Sequence, residues 1–174
     1  MRTRVDLNGT WELACADGAG ACPREGWLEA TVPGDVHADL SRAGKLPVDL
    51  FYRKNLLEAR WVEEKFWWYR RTFVYDGNPC QSLELVFEGL DTFTTVYLNG
   101  EEVGQTDNMH RAFRFDLKGR LKTGKNELAV EFAPIRDRVR ELHEQYPQYH
   151  AIFTPGRSLV RKAQCQFGWD WAPD

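Results

Sequence analysis

Thr94-Thr95-Val96-Tyr97-Leu98-Asn99-Gly100-Glu101-Glu102-Val103 reads as two strands and the turn between them. Asn-Gly tolerates the positive φ values of a type I′ turn, and that turn matches the twist of a two-residue hairpin. Working outward, the same period of two recurs. In Ser82-Leu83-Glu84-Leu85-Val86-Phe87-Glu88, Leu83, Leu85 and Phe87 share one face while Glu84 and Glu88 share the other. A strand with one wet face has this pattern. Ala112-Phe113-Arg114-Phe115-Asp116-Leu117 alternates again, and Gly124-Lys125-Asn126 turns into Glu127-Leu128-Ala129-Val130-Glu131-Phe132. Upstream, strands are expected through Thr10-Trp11-Glu12-Leu13 and through Trp67 to Val74. Helix is expected only at 35–43, after Pro33-Gly34 and before Gly44, and at 136–144, between Pro134 and Pro147. Short strands separated by Gly, Asn and Asp turns predict one all-β domain over 1–174, an antiparallel sandwich with two short helices.

Composition narrows the function. Seven Trp, six Tyr and ten Phe suit a sandwich core, a sugar-binding surface, or both. Trp67, Tyr69 and Phe73 alternate on a strand and are expected in the core, with Arg70 and Arg71 at the surface or ion-paired. A net charge of −3 argues against nucleic acid, which needs a basic face. No apolar run approaches the roughly 20 residues of a membrane helix. Met1 to Asp6 lack the apolar stretch of a signal peptide, so a cytoplasmic protein with reduced Cys15, Cys22, Cys80 and Cys165 is expected. Cys15 and Cys22 are the pair close enough in sequence to bridge. No C-x-x-C and no clustered His point to a metal, and nothing calls for a cofactor.

Chemistry-bearing residues are sparse. Glycosidases use two carboxylates about 5 to 9 Å apart. Here Glu84, Glu88, Glu127 and Glu131 alternate with apolar residues, the pattern of a solvated sheet face. No G-x-S-x-G, phosphate loop or H-E-x-x-H occurs. Arg157, Arg161 and Lys162 read as a solvated charge run. One segment stands apart: Gln164-Cys165-Gln166-Phe167-Gly168-Trp169-Asp170-Trp171-Ala172-Pro173. Indole faces stack on the C–H faces of sugars, and a carboxylate accepts from sugar hydroxyls. Core packing of Trp169 and Trp171, with Asp170 capping a turn, is the competing reading from the residues alone. Cys165 is expected to be partly buried beside this loop.

The segments Leu7-Asn8-Gly9-Thr10-Trp11, Thr31-Val32-Pro33-Gly34-Asp35-Val36-His37, Val48-Asp49-Leu50-Phe51-Tyr52-Arg53-Lys54-Asn55 and Phe87-Glu88-Gly89-Leu90-Asp91-Thr92 also carry a resemblance. With Gly104-Gln105-Thr106-Asp107-Asn108-Met109 and Val160-Arg161-Lys162 leading to Trp169-Asp170-Trp171, they make the whole chain similar to the start of a family 2 glycoside hydrolase of the β-mannosidase branch. The resemblance implies a jelly-roll sandwich of the galactose-binding type. It implies that the catalytic acid/base and nucleophile are two Glu on a barrel outside this chain, acting by retaining double displacement. It implies that Trp169, Asp170 and Trp171 line the subsite for a terminal β-mannoside, with no catalytic residue in the chain itself. Ala172 stands where the family more often has Gly, and Leu50 where Pro is common. Alternatives are the same domain of an exo-β-glucosaminidase and a free-standing carbohydrate-binding module. In the family, strands after the Trp-Asp-Trp loop complete the sandwich, so self-association through an open sheet edge is expected.

Overall fold

The computed structural model describes residues 4–78, 82–149 and 157–167. Eight strands form: β1 Gly9–Ala16, β2 Leu28–Val32, β3 Phe66–Tyr75, β4 Glu84–Phe87, β5 Thr94–Leu98, β6 Glu101–Thr106, β7 Phe113–Asp116 and β8 Gly124–Phe132. Six make one sheet in the order β2-β1-β3-β8-β5-β6, and β4 pairs with β7 in a second. Every pairing between these strands is antiparallel.

Register builds the core. Leu13 lies opposite Tyr69, Tyr69 opposite Val130, and Val130 opposite Val96, and all four are buried. Burying each aliphatic chain stabilises the fold by about 1.5–3 kcal/mol. Leu85 closes this layer from the two-stranded sheet, where the Phe87 and Phe115 rings meet edge to face, 6.2 Å apart. Trp67 and Tyr69 are core and Phe73 packs against it, as the alternation predicts. Arg70 pairs with Glu12 at 2.8 Å and lies over the Trp27 ring.

The hairpin forms at Asn99-Gly100, with φ of 54° and 83°. Asn99 does more than turn. Its amide donates to Asn126 Oδ1 and its oxygen accepts from Glu127 N, so the turn docks on the start of β8.

One residue along from the core row, Ala14, Trp68, Glu131 and Thr95 align on the opposite face. Glu84, Glu88 and Glu127 are exposed, as expected, but Glu131 is not: it is 4% exposed. The loop after β1 covers it, with Gly20 N donating to Oε1 and Tyr97 OH to Oε2. Strand alternation tells which face a side chain points to, not whether a loop folds over that face.

Helices α1 Val36–Arg42 and α3 Ile135–Gln145 sit where expected. Asp35 caps α1 by accepting from Ala38 N. Helix is not confined to these two. A single turn, α2 Asn55–Glu58, runs into a 3-10 turn at Arg60–Glu64, and 3-10 turns recur at Arg157–Leu159 and Gln164–Phe167. Such turns are too short to display a helical period. No helix among the described residues is long and apolar enough to cross a membrane.

The strand ends define one pole of the molecule. β3 begins beside Phe132, the last residue of β8; Thr94, the first of β5, faces Phe132; and Thr106, the last of β6, faces Thr94. The Arg60–Glu64 turn, the 88–93 and 107–112 loops and α3 therefore gather at that pole.

Candidate functional site

Residues 157–167 form a clasp at this pole. Val160 is its anchor, 2% exposed. The next residue extends a bridge: Arg161 pairs with Asn108, and Met109 N donates to Arg161 O at 3.0 Å. Lys162 then turns inward and ion-pairs with Asp91, whose other oxygen accepts from Thr92 Oγ1. Ala163 N contacts Met109 Sδ at 3.0 Å.

Local hydrogen bonds close the clasp. Gln164 Nε2 reaches Lys162 O at 3.1 Å and Val160 O at 3.4 Å. Arg157 Nη1 donates to Phe167 O at 3.0 Å while its guanidinium lies over the Phe167 ring. The two ends of the segment are thus tied together immediately before Gly168. A shallow groove of about 410 Å³ opens on its surface, lined by His110, Ser158, Arg161 and Gln164 among others.

A polar network underlies the loops that receive the clasp. Thr94 and Thr106 share a hydroxyl bond of 2.7 Å, and Thr106 Oγ1 donates to Thr92 O. All three threonines are buried, so this network positions the 88–93 loop, and with it Asp91, on the rigid ends of β5 and β6.

Two expectations are corrected here. Lys162 is not part of a solvated run: its side chain is 13% exposed and paired. Arg157 and Arg161 are both exposed, as expected, although Arg157 also bonds Phe167 O. Cys165 is exposed rather than partly buried, because the Gln164–Phe167 turn directs it outward. Cys15, Cys22 and Cys165 are free thiols. Partial desolvation, then Glu127, push the otherwise exposed Cys22 thiol upward, away from reactivity. Trp169, Asp170 and Trp171 lie outside the described residues.

The buried carboxylates do not form a catalytic pair. Asp39 accepts from Thr31 N, Arg42 and Tyr69 OH under the core face. Glu131 lies on the other face of the same sheet. Both serve internal bonds. Among the described residues, no cluster of three or more His, Cys, Asp or Glu could hold a metal. The Asp91–Lys162 pair is the feature that residue-by-residue reading missed. Both residues stood in quoted motifs, 71 positions apart, and only the fold joins them.

Comparison with known proteins places this architecture. Residues 11–174 match the family model described as glycosyl hydrolase 2 galactose-binding domain-like. Beta-mannosidase B of Emericella nidulans is 43% identical over 155 residues, covering 86% of this chain and 18% of that protein. Beta-mannosidase B of Thermothelomyces thermophilus is 37% identical over 99% of this chain and 20% of that protein. The crystal structure of the β-D-mannosidase of Dictyoglomus thermophilum superposes with a TM-score of 0.81 and 39% identity, over 97% of this chain and 20% of that one. An exo-chitosanase from Amycolatopsis orientalis, 23% identical with a TM-score of 0.61 over 72% of this chain and 16% of that one, shares the fold. The chain spans about a fifth of the length of the curated relatives it matches. With antiparallel sheets, a clasp at one pole and this agreement from residue 11 onward, the chain belongs to the galactose-binding-like domain family of the family 2 glycosyl hydrolases.

Proposed function

We propose that the chain is the amino-terminal, non-catalytic domain of a retaining exo-β-mannosidase, and that Trp169, Asp170 and Trp171 line its subsite for the terminal mannose. The observation that carries this reading is the clasp. Lys162–Asp91, the Arg161 bridge and the Arg157–Phe167 bond hold the residues that lead to Gly168 at one fixed place. A sugar subsite needs such support, because a contact misplaced by about 1 Å loses much of its value. The names of the 37–43% identical relatives supply the substrate class. The 23% identical exo-chitosanase carries the fold alone and does not favour an exo-glucosaminidase. Free, exposed thiols at Cys15, Cys22 and Cys165 suit a reducing compartment such as the cytoplasm.

In this role Asp170 accepts hydrogen bonds from hydroxyls of the terminal sugar, shielded from water. Each such charge-assisted bond contributes about 1.5–3 kcal/mol. In the full-length enzyme, Asp170→Ala should lower kcat/KM for an aryl β-mannoside by about 10- to 100-fold. Asp170→Asn keeps the shape and one acceptor and should lose less. Unaltered kinetics with a lowered melting temperature would return Asp170 to turn capping. The isolated chain should not hydrolyse the substrate, and full-length activity only on β-glucosaminides would select the alternative enzyme.

A further inference from the structure

Asparagine followed by glycine is a chemically labile pair, and the chain holds it twice, at Asn8-Gly9 and Asn99-Gly100. Glycine has no side chain to hinder its backbone nitrogen from reaching the asparagine Cγ. That nitrogen attacks Cγ and the bond from Cγ to the side-chain amide nitrogen breaks. Ammonia leaves, carrying the proton that the glycine nitrogen gives up, and a cyclic succinimide remains. Water then opens the ring at either carbonyl. One opening yields Asp, the other isoAsp, in which the main chain runs through the former side chain. The sum is amide plus water giving carboxylate plus ammonium, with nothing oxidised or reduced.

The fold treats the two pairs differently. Asn99 is docked. Its Nδ2, the leaving group, donates to Asn126 Oδ1 at 3.0 Å and to Arg120 O at 3.4 Å, and its Oδ1 accepts from Glu127 N at 3.1 Å. Swinging Cγ onto Gly100 N breaks all three bonds. The receiving Asn126 does not yield either: it is 1% exposed and tied to Lys122 and Gly124. Gly100 itself is exposed, so the dock and not the access of water protects this pair. Asn8 is the reverse case. It is exposed, and its side-chain amide has no hydrogen bond among the described residues. Gly9 is exposed too, at the end of the pairing between β1 and β2, and strand ends open most readily. Only the backbone is held there. Asn8 N donates to Asp6 Oδ1, and Arg71 Nη1 donates to the carbonyls of Leu7 and Asn8. We propose that Asn8 is a spontaneous deamidation site of the folded protein, and that the same dipeptide at Asn99 is kept intact by its dock. IsoAsp at the first position moves the second of the two carbonyls that Arg71 grips one methylene along the main chain, whereas Asp leaves the main chain unchanged.

Ageing of the full-length protein in mildly alkaline buffer, folded and in urea, tests this without any variant. The two peptides are followed by mass spectrometry, with fragmentation that separates Asp from isoAsp. In the folded protein Asn8 should deamidate at least about tenfold faster than Asn99, the ratio expected when the docked pair must first open its hydrogen bonds. In urea the two rates should converge. Equal rates in the folded protein overturn the proposal, as does an Asn8 that reacts only in urea. A ratio that persists in urea assigns the difference to the flanking sequence and overturns it as well.

Discussion

At the scale of single residues, charge and burial meet most sharply at Lys162. Asp91 neutralises its ammonium where only 13% of the side chain reaches solvent. Lys162→Met keeps the stem's packing but leaves Asp91 partly buried without its cation. Urea unfolding should show a loss of about 1–3 kcal/mol. Adding Asp91→Asn should recover part of it, because the two sites share one interaction and their effects are coupled by about 0.5–3 kcal/mol. Strict additivity would mean that the pair does not hold the clasp. Legibility at this scale follows the range of the interaction. Trp67 and Tyr69 were readable as core because their period is local. Glu131 was not, because its burial depends on a loop 111 residues earlier in the chain. Lys162 was not, because its partner Asp91 lies 71 positions away.

Elements are joined by a few polar contacts, and the one between α1 and β3 titrates. Tyr69 OH donates to Asp39 Oδ2 at 3.1 Å, and Asp39 also accepts from Thr31 N at the end of β2. Burial, then the Asp39 carboxylate, push the Tyr69 hydroxyl well above the ordinary tyrosine range. Tyr97 is pushed in the same direction by burial and by Glu131. A raised folded-state value means that the native state keeps a proton which the unfolded chain releases. This stability is complete below about pH 10, the unfolded tyrosine value, and is lost as pH rises above it. Tyr69→Phe should flatten the alkaline limb of a stability–pH curve. It should also cost about 0.5–1.5 kcal/mol at neutral pH for the lost hydrogen bond. An unchanged alkaline limb would assign it to other groups.

The same junction needs Gly34. A Cβ there would stand 2.2 Å from the carbonyl oxygen of Thr31, a backbone atom that β2 holds in place. Gly34→Ala should therefore cost about 1–3 kcal/mol by thermal denaturation, and no loss would mean that the Pro33-Gly34 turn shifts freely. β2 went unread although Leu28, Ala30 and Val32 alternate with Glu29 and Thr31, because so short a run, with an alanine at its centre and Pro33-Gly34 beyond it, is a weak period. α2 and the 3-10 turns escaped for the related reason that one turn has no period to read.

For the whole molecule, the antiparallel all-β architecture was legible because its strands alternate strongly and its hairpin turn is chemically explicit. The arrangement of two unequal sheets was not, since pairing order is a long-range property. That inequality has a consequence. β4 and β7 are paired only with each other among the described residues, so both outer edges of the small sheet offer unpaired N–H and C=O groups. Two strands alone are marginal, and an added strand would satisfy those groups. Val86, 41% exposed on β4, places an apolar side chain where a second copy would pair. The chain alone is therefore expected to self-associate at high concentration through this edge, and Val86→Lys should weaken the association by setting a charge against its neighbour. Sedimentation velocity over a concentration series decides the matter. Monomer throughout would show the edges already covered, and association unaffected by Val86→Lys would move the contact elsewhere, with the exposed 48–57 turn the first surface to examine.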